Sequence, residues 1–331
     1  MQMEKSDKKF YLGIDIGGTK CALILGAANK SIDMIDRYSF ATKKSGPYID
    51  TIEEIFLQMD IMLQKNHIKN TQICAIGISC GGPLDSKKGE ILSPPNLIGW
   101  NQVPIVSMLE ERFHIPAFLQ NDANACALAE WQFGAGRRYQ NVIFLTFGTG
   151  MGAGLILNGK LYTGTNDMAG EVGHIRLDEN GPVGYGKAGS FEGFCSGGGI
   201  AQIAQSKVLE RLQRGECPAL CPTYEEMSGL TARFVSEAAY AGDKLAMEIY
   251  HCSAIHLGKA LSILIDILNP EVIIIGSVYA RSRELFEEVT METVKKEAFS
   301  KSAKVCRIVP SGLGDKIGDF AALSVAVTGK K

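Results

Sequence analysis

Ile14-Asp15-Ile16-Gly17-Gly18-Thr19-Lys20, running on into Ala22-Leu23-Ile24-Leu25, reads as an apolar strand, a glycine turn and a second apolar strand. Leu145-Thr146-Phe147-Gly148-Thr149-Gly150 leads in the same way to Gly154-Leu155-Ile156-Leu157, 131 residues further on. The unit recurs at matching places in two halves, which points to a duplicated fold with a cleft between two lobes. A glycine-turned hairpin can offer backbone N–H groups and a hydroxyl to a phosphate, with a strand-end carboxylate holding Mg2+ through water. Residues 15–20 supply all of these, and residues 147–152 supply a second loop with Thr149 as its hydroxyl.

Working outward, short continuous runs of Ile, Val and Leu predict strands over 10–16, 21–26, 73–79, 117–120, 142–147, 154–157, 272–276 and 305–309. Helical patterns fall between them, over 49–64, 104–113, 123–133, 198–214, 243–268 and 281–298. Apolar strands alternating with amphipathic helices imply an α/β protein whose sheet is covered on both faces.

A length of 331 residues suits about two domains. Lys and Arg total 34 against 36 Asp and Glu, so no overall positive field exists to hold nucleic acid or an anionic membrane. Any anion must be bound locally. Nine scattered cysteines, an odd number, read as reduced core residues, and a cytoplasmic location is expected. The apolar neighbourhood 261–278 is interrupted by Asp266, Asn269 and Pro270, so it does not offer the ~20 uninterrupted apolar residues of a membrane span. Glycine is the outlier, at 37 residues or about 11% against a usual ~7%. Part of the surplus lies in residues 181–199, where Gly181 to Lys187 mimics P-loop spacing. Ala188 replaces the Mg2+-ligating hydroxyl there and no apolar strand leads in, so the match is a decoy. The loop after Phe147 is followed by a strand rather than a helix, which excludes a dinucleotide fingerprint.

Four blocks carry a wider likeness: Asp15-Ile16-Gly17-Gly18-Thr19-Lys20, Asn121-Asp122-Ala123-Asn124-Ala125, Gly148-Thr149-Gly150-Met151-Gly152 and Glu171-Val172-Gly173-His174. In that order they resemble the signature blocks of the ROK family (repressors, open reading frames and sugar kinases), over about residues 10–325. The resemblance implies a duplicated actin-like ATPase fold of the ribonuclease H-like kind. It implies one lobe from 1–122 plus about 311–331, a larger lobe from 123–310, and a homodimer. It also implies phosphorylation of a hexose, glucose first, or of an N-acetylhexosamine, from Mg-ATP.

A sugar hydroxyl is a poor nucleophile and needs a carboxylate within hydrogen-bond reach. Asp122 follows the strand at 117–120 and is expected to cap the next helix, at a strand's carboxyl end where α/β sites lie. By resemblance Asp122 is the base, and the sugar is ringed by Gly81, Gly82, Asn96, Asn121, Asp122, Glu171, His174 and Glu192. ATP and Mg2+ fall to Asp15, Gly17, Gly18, Thr19, Lys20, Gly148, Thr149, Gly150, Gly152 and Gly276.

The chain departs from the family in two places. Val183, Tyr185 and Ser190 stand where a zinc site formed with His174 would have its cysteines, so no structural zinc is expected. Packing of Val183, Tyr185 and Phe191 is expected to hold that loop instead. Cys217, Cys221, His251, Cys252 and His256 have spacings that fit no zinc module. Second, Ser277 and Val278 follow Gly276 where the family has glycine beside adenine, which predicts a narrower or shifted nucleotide pocket. The family's repressors carry a DNA-binding module ahead of the phosphate loop. Only 14 residues precede Asp15 here, so sugar and ATP are the expected partners, without nucleic acid or membrane. A sugar-binding regulator without turnover is the alternative.

Overall fold

The computed structural model describes residues 9–28, 32–43, 46–148 and 150–329; Thr149 lies outside these residues. The first half comprises β1 (Lys9–Ile16), β2 (Lys20–Ala28), β3 (Ile32–Ala41), α1 (Tyr48–Lys65), β4 (Ile73–Cys80), the short strands β5 (Leu84–Asp85) and β6 (Glu90–Ile91), α2 (Ile105–Phe113) and β7 (Ala117–Asn121). Then α3 (Asp122–Phe133) leads to β8 (Val142–Phe147), β9 (Met151–Leu157), β10 (Lys160–Tyr162), and the hairpin β11 (Val183–Gly184) with β12 (Lys187–Ala188). Helices α4 (Phe191–Cys195), α5 (Gly197–Gln213), α6 (Ala232–Tyr240) and α7 (Lys244–Leu268) precede β13 (Val272–Ile275). The chain ends with α8 (Ser277–Arg281), α9 (Arg283–Glu297), α10 (Ser300–Ala303), β14 (Arg307–Pro310) and α11 (Ile317–Gly329).

Two five-stranded sheets share one plan, with orders β3-β2-β1-β4-β7 and β10-β9-β8-β13-β14. In each, three antiparallel strands are followed by two parallel ones. The duplication expected from the glycine hairpins is therefore a duplication of whole sheets. Leu12, Ile14, Ile16, Ile76 and Ile78 face α1 and α2 through Ile52, Ile55, Met59, Leu109 and Phe113. In the second lobe Leu145, Phe147, Ile273 and Ile275 pack with Leu257 and Leu261 of α7 and Phe286 of α9. The apolar, 25-residue α7 is long enough to cross a membrane by length and composition, but over half of its most apolar window is buried inside the protein.

Each sheet admits one helix at very short range, and glycine permits it. A Cβ on Gly77 would lie 2.2 Å from the Ala322 carbonyl oxygen, and one on Gly13 would lie 3.0 Å from the Ala322 Cβ. These two glycines are register partners on β1 and β4, so they form a trough for the Ala322 and Ala326 turns of α11. Likewise a Cβ on Gly154 of β9 would lie 2.3 Å from the Ala123 carbonyl of α3. Such contacts replace side-chain interdigitation with backbone dispersion contacts.

The chain passes between the two sheets through α3 and again through residues 311–316. Glu130 of α3, fully buried, staples these together. Its Oε1 accepts the Ser311 hydroxyl at 2.5 Å and the Leu313 N–H at 3.1 Å; its Oε2 accepts the Ala135 N–H at 2.7 Å and the Gly312 N–H at 3.2 Å. Gly134 has no space for a Cβ, which would fall 2.0 Å from that Oε2.

Among the elements outside the predicted set, besides several short strands and helices, three stand out. Strand β3 is an edge carrying Asp33, Asp36 and Arg37, and much of it is exposed, so it shows no apolar run. Helix α11 is apolar on nearly every face, as befits a helix enclosed between α3 and the first sheet, and lacks amphipathic periodicity. Helix α6 is only nine residues long. The predicted helix at 281–298 is α9, starting at Arg283 after a break at Ser282, whose φ of −122° and ψ of 30° are not helical and which separates it from the short α8.

Replacing Glu130 with Ala would take the shared acceptor from four donors, three of them partly buried and the Gly312 N–H exposed. We expect Glu130→Ala to lower stability by about 1–3 kcal/mol in urea unfolding, with Glu130→Gln less harmful because one side-chain oxygen remains to accept.

Candidate active site

Strand register brings the functional residues together. Ile16 of β1 pairs with Cys80 of β4, and Cys80 pairs with Asn121 of β7. Asp15 and Asp122 thus stand at the carboxyl ends of strands two places apart, roughly 10 Å between backbones at ~4.8 Å per strand. Asp15 is partly buried, with Gly318 so close that a Cβ there would lie 3.3 Å from its Oδ2. Burial first, and then the charges of Asp122 and Asp319, push the Asp15 carboxyl up to about 6, against the pull of Ser79 and Lys20. Asp122 opens onto the cleft but is hemmed in by protein. Poor hydration, opposed by the Ala123 amide and reinforced by the Glu171 charge, raises its carboxyl above the usual range.

The helix cap differs from expectation. Asn121, in extended conformation, is the N-cap of α3, its Oδ1 accepting the Ala123 N–H at 2.9 Å. Asp122 is the first helical residue, and its Oδ1 takes the same N–H at 2.8 Å. Asn121 therefore presents mainly its NH2 group to the cleft, while Asp122 keeps one carboxyl oxygen free.

The first glycine turn closes with Gly17 N–H donating to the Lys20 carbonyl at 3.1 Å. Thr42, absent from every motif, completes it: its hydroxyl donates to the Gly17 carbonyl at 2.6 Å and its N–H to the Thr19 carbonyl at 3.0 Å. Asn96 roofs this turn, its carbonyl 2.4 Å from where a Gly18 Cβ would stand. Gly18, Thr19, Asn96 and Thr42 line a cavity of ≈ 430 Å3. In the second turn Gly148 N–H donates to the Gly150 carbonyl at 3.1 Å, and the first N–H of α5, from Gly197, donates to the Gly148 carbonyl at 2.8 Å. Helix α5 thus directs its positive end at this hairpin.

Between the two hairpins lie two adjoining cavities. One, of ≈ 430 Å3, is lined by Gly81, Gly82, Asn96, Asn121, Asp122, Gly148, Gly150, Gly152 and Glu171 among others. The next, of ≈ 410 Å3, adds His174 and Glu192 to Gly82, Asn121 and Glu171. All eight residues expected around a sugar meet here. Glu192 is fixed by accepting the Met151 N–H at 2.9 Å. Of the remaining expected residues, Asp15, Gly17, Lys20 and Gly276 line none of these cavities. Asp167, which no motif singled out, lines both of the central ones.

Beyond Gly276, Val278 forms one wall of a ≈ 600 Å3 cavity with Arg233, Ser236, Tyr250 and Arg281. Ser277 takes a left-handed φ of 53°, a conformation glycine adopts without strain. The loop that lacks the zinc cysteines corrects one expectation: Val183 and Tyr185 are exposed, at 47% and 72%, so they do not hold it by burial. Phe191, fully buried, and Phe194, stacked on His256 at 3.5 Å, provide its core, while Tyr185 sets its edge against the His174 ring. Residues 181–188 form the hairpin β11–β12 rather than a strand–loop–helix. Among the described residues no group of three or more His, Cys, Asp or Glu side chains is placed to hold a metal ion.

The ROK family profile matches residues 11–328. The glucokinase of Halalkalibacterium halodurans is 36% identical over 81% of this chain and 80% of its own. The N-acetylmannosamine kinase of Escherichia coli strain 55989 is 32% identical over 80% of this chain and 81% of its own. The xylose repressor of Caldicellulosiruptor bescii is 28% identical over 99% of this chain and 80% of its own. Among solved structures, a ROK family glucokinase from Streptomyces griseus in complex with glucose and AMPPNP superposes with a TM-score of 0.73 at 26% identity, covering 96% of this chain and 99% of that one. Similarity to these kinases supports sugar-kinase activity. With its duplicated sheets, its paired glycine hairpins and a profile match over nearly its whole length, the chain belongs to the ROK family, and its fold is the actin-like ATPase fold.

Proposed function

We propose that this chain transfers the γ-phosphoryl group of ATP to a hydroxyl of a hexose, with Asp122 accepting the hydroxyl proton. The observation that carries this reading is the convergence of eight polar or close-approach residues on two cavities between two glycine hairpins, with one oxygen of Asp122 free among them. The sugar oxygen attacks the γ-phosphorus, its proton passes to Asp122 Oδ2, and the bond to the bridging oxygen of ADP breaks. Asn96, Asn121, Glu171, His174 and Glu192, with the backbone at Gly81 and Gly82, would orient the sugar; a wrong epimer leaves some of them unpaired. The turns 17–20 and 148–152 would hold the phosphates, and the cavity beside Gly276 the adenine end. The crowding of Asp15 by two other carboxylates fits the reception of a cation, and Mg2+ held there through water would offset phosphate charge. Residues 1–122 with about 311–331, and residues 123–310, would be the two bodies that close on the ligands. Glucose is the first sugar to test and N-acetylmannosamine the second, given the relatives that act on them.

A coupled ADP-release assay over these and related sugars decides the matter. Sugar binding by calorimetry without turnover on any of them would replace this reading with a non-catalytic regulator. Asp122→Asn should retain sugar binding while kcat falls by roughly 10^2–10^4.

In a kcat/KM profile the acidic limb should lie above the ordinary carboxylate range, because the base must be ionised and its proton is held more tightly than usual. Glu171→Gln removes a neighbouring negative charge and should shift that limb to lower pH; a limb that stays in place would detach Asp122 from the profile.

Asp15 gives a stability test. Its folded-state value of about 6 exceeds the unfolded value of 3.8, so the folded chain binds its proton more tightly. This group therefore favours folding only at low pH, and a penalty grows between about pH 4 and 6, reaching ~2–3 kcal/mol at neutral pH. Asp15→Asn should melt several degrees above the parent at pH 7.5, close to it below pH 4, and show little turnover.

A further inference from the structure

Outside the hinge segments, the described residues show only two hydrogen bonds that join residues 9–120 to residues 140–310, and both link one pair. Asp167 Oδ2 accepts the Ser86 N–H at 2.7 Å, and Asp167 Oδ1 accepts the Ser86 hydroxyl at 3.0 Å. Ser86 lies between β5 and β6 of the first lobe, and Asp167 in the loop after β10 of the second. Asp167 lines both central cavities and Ser86 lines neither. Both carboxyl oxygens of Asp167 are thus engaged by the opposite lobe.

The loop around Asp167 is a poor candidate for holding its own shape. It runs from Thr163 to Gly170, with left-handed φ values at Gly164, Asp167 and Gly170 of 76°, 61° and 93°. Within it the Ala169 N–H reaches the Thr163 carbonyl at 3.1 Å, and the Gly170 carbonyl accepts the Ala153 N–H of β9 at 2.8 Å. The segment between these points carries Asp167 and leads into Glu171 and His174, whose own turn is closed by the Val172 N–H to the Gly170 carbonyl at 2.7 Å and the Ile175 N–H to the Val172 carbonyl at 3.0 Å; across the cleft, the approach to that turn is fixed by Asp167. A left-handed aspartate carries a modest backbone strain that the two bonds from Ser86 offset.

We propose that Asp167 is a positioning residue: through Ser86 it latches the loop bearing Glu171 and His174 to the first lobe, presetting the polar ring before sugar arrives. This rests on the sugar-phosphotransfer reading above for its kinetic consequence. Preorganised contacts of this kind act equally on bound sugar and transition state, so their loss weakens binding and spares the chemical step.

Asp167→Gly removes the carboxylate at a left-handed φ that glycine accepts; because glycine also loosens the backbone, the Ser86 variants below, which leave residue 167 unchanged, must show the same direction of change for the latch to stand. Hydrogen–deuterium exchange of the sugar-free, nucleotide-free protein should speed up across residues 163–174 and stay unchanged in α7. The sugar KM, and the sugar dissociation constant by calorimetry, should rise tenfold to a hundredfold with kcat within about threefold of the parent. Ser86→Ala, which keeps the backbone bond, should have a smaller effect, Ser86→Thr should restore the parent values, and the double variant should resemble Asp167→Gly alone. Unchanged exchange at 163–174 would overturn the latch, and so would a fall in kcat as large as that in kcat/KM. Absence of turnover in the parent protein would instead defeat the phosphotransfer reading, and exchange would still decide the latch.

Discussion

Like charges held close together in a poorly hydrated cleft are the constraint on which this structure turns. Asp15 and Asp122 stand at the ends of strands two places apart, with Asp319 and Glu171 adding further negative charge. A pliable chain would relieve the repulsion by letting the partly buried Asp15 swing away from the more exposed Asp122. Here they stay, because Asp15 belongs to a strand paired on both sides and Asp122 to the first turn of a helix pressed against β9. Electrostatic tension of this sort is useful where a cation is to be received, since binding it relieves the repulsion.

Rigidity within each lobe comes from backbone approach rather than from bulk. Gly13 and Gly77 let α11 settle onto the first sheet, and Gly154 lets α3 settle onto the second. Between the lobes the bonding is sparse and specific. Glu130 gathers four donors at the hinge, and away from it Ser86 and Asp167 supply the polar link. The link between the two sheets thus rests on a few specific polar contacts rather than on a broad apolar interface.

The glycine turns, the apolar strands flanking them and the helices α1, α2, α3, α5 and α7 were legible in the sequence because each depends on neighbours in the chain. Edge strand β3 and the enclosed helix α11 were not, since the environment that gives them their pattern is supplied by distant segments. The site divides in the same way. Asp122, Glu171 and His174 stood out in motifs, whereas Thr42, Asp167 and Glu130 belong to none and owe their parts to partners 25, 81 and about 180 residues away. The expected cap was displaced by one residue, from Asp122 to Asn121, because only the backbone angles decide which side chain ends the strand. The loop without zinc cysteines was read as resting on Val183 and Tyr185, which are exposed; Phe194 against His256, on a helix some sixty residues later, carries that packing with Phe191.

Sequence alone determined the local chemistry: two glycine hairpins with a strand-end carboxylate, a polar pair opening a helix, and four blocks whose order marks the family. Tertiary structure alone decided that these face one another across a cleft, which oxygen of Asp122 stays free, how far Asp15 is raised, and which residues join the lobes. The physical reason is range. Turn geometry and strand propensity act over a few residues, while hydration, charge coupling and hydrogen-bond partnership depend on distances that only the folded register of β1, β4 and β7 sets.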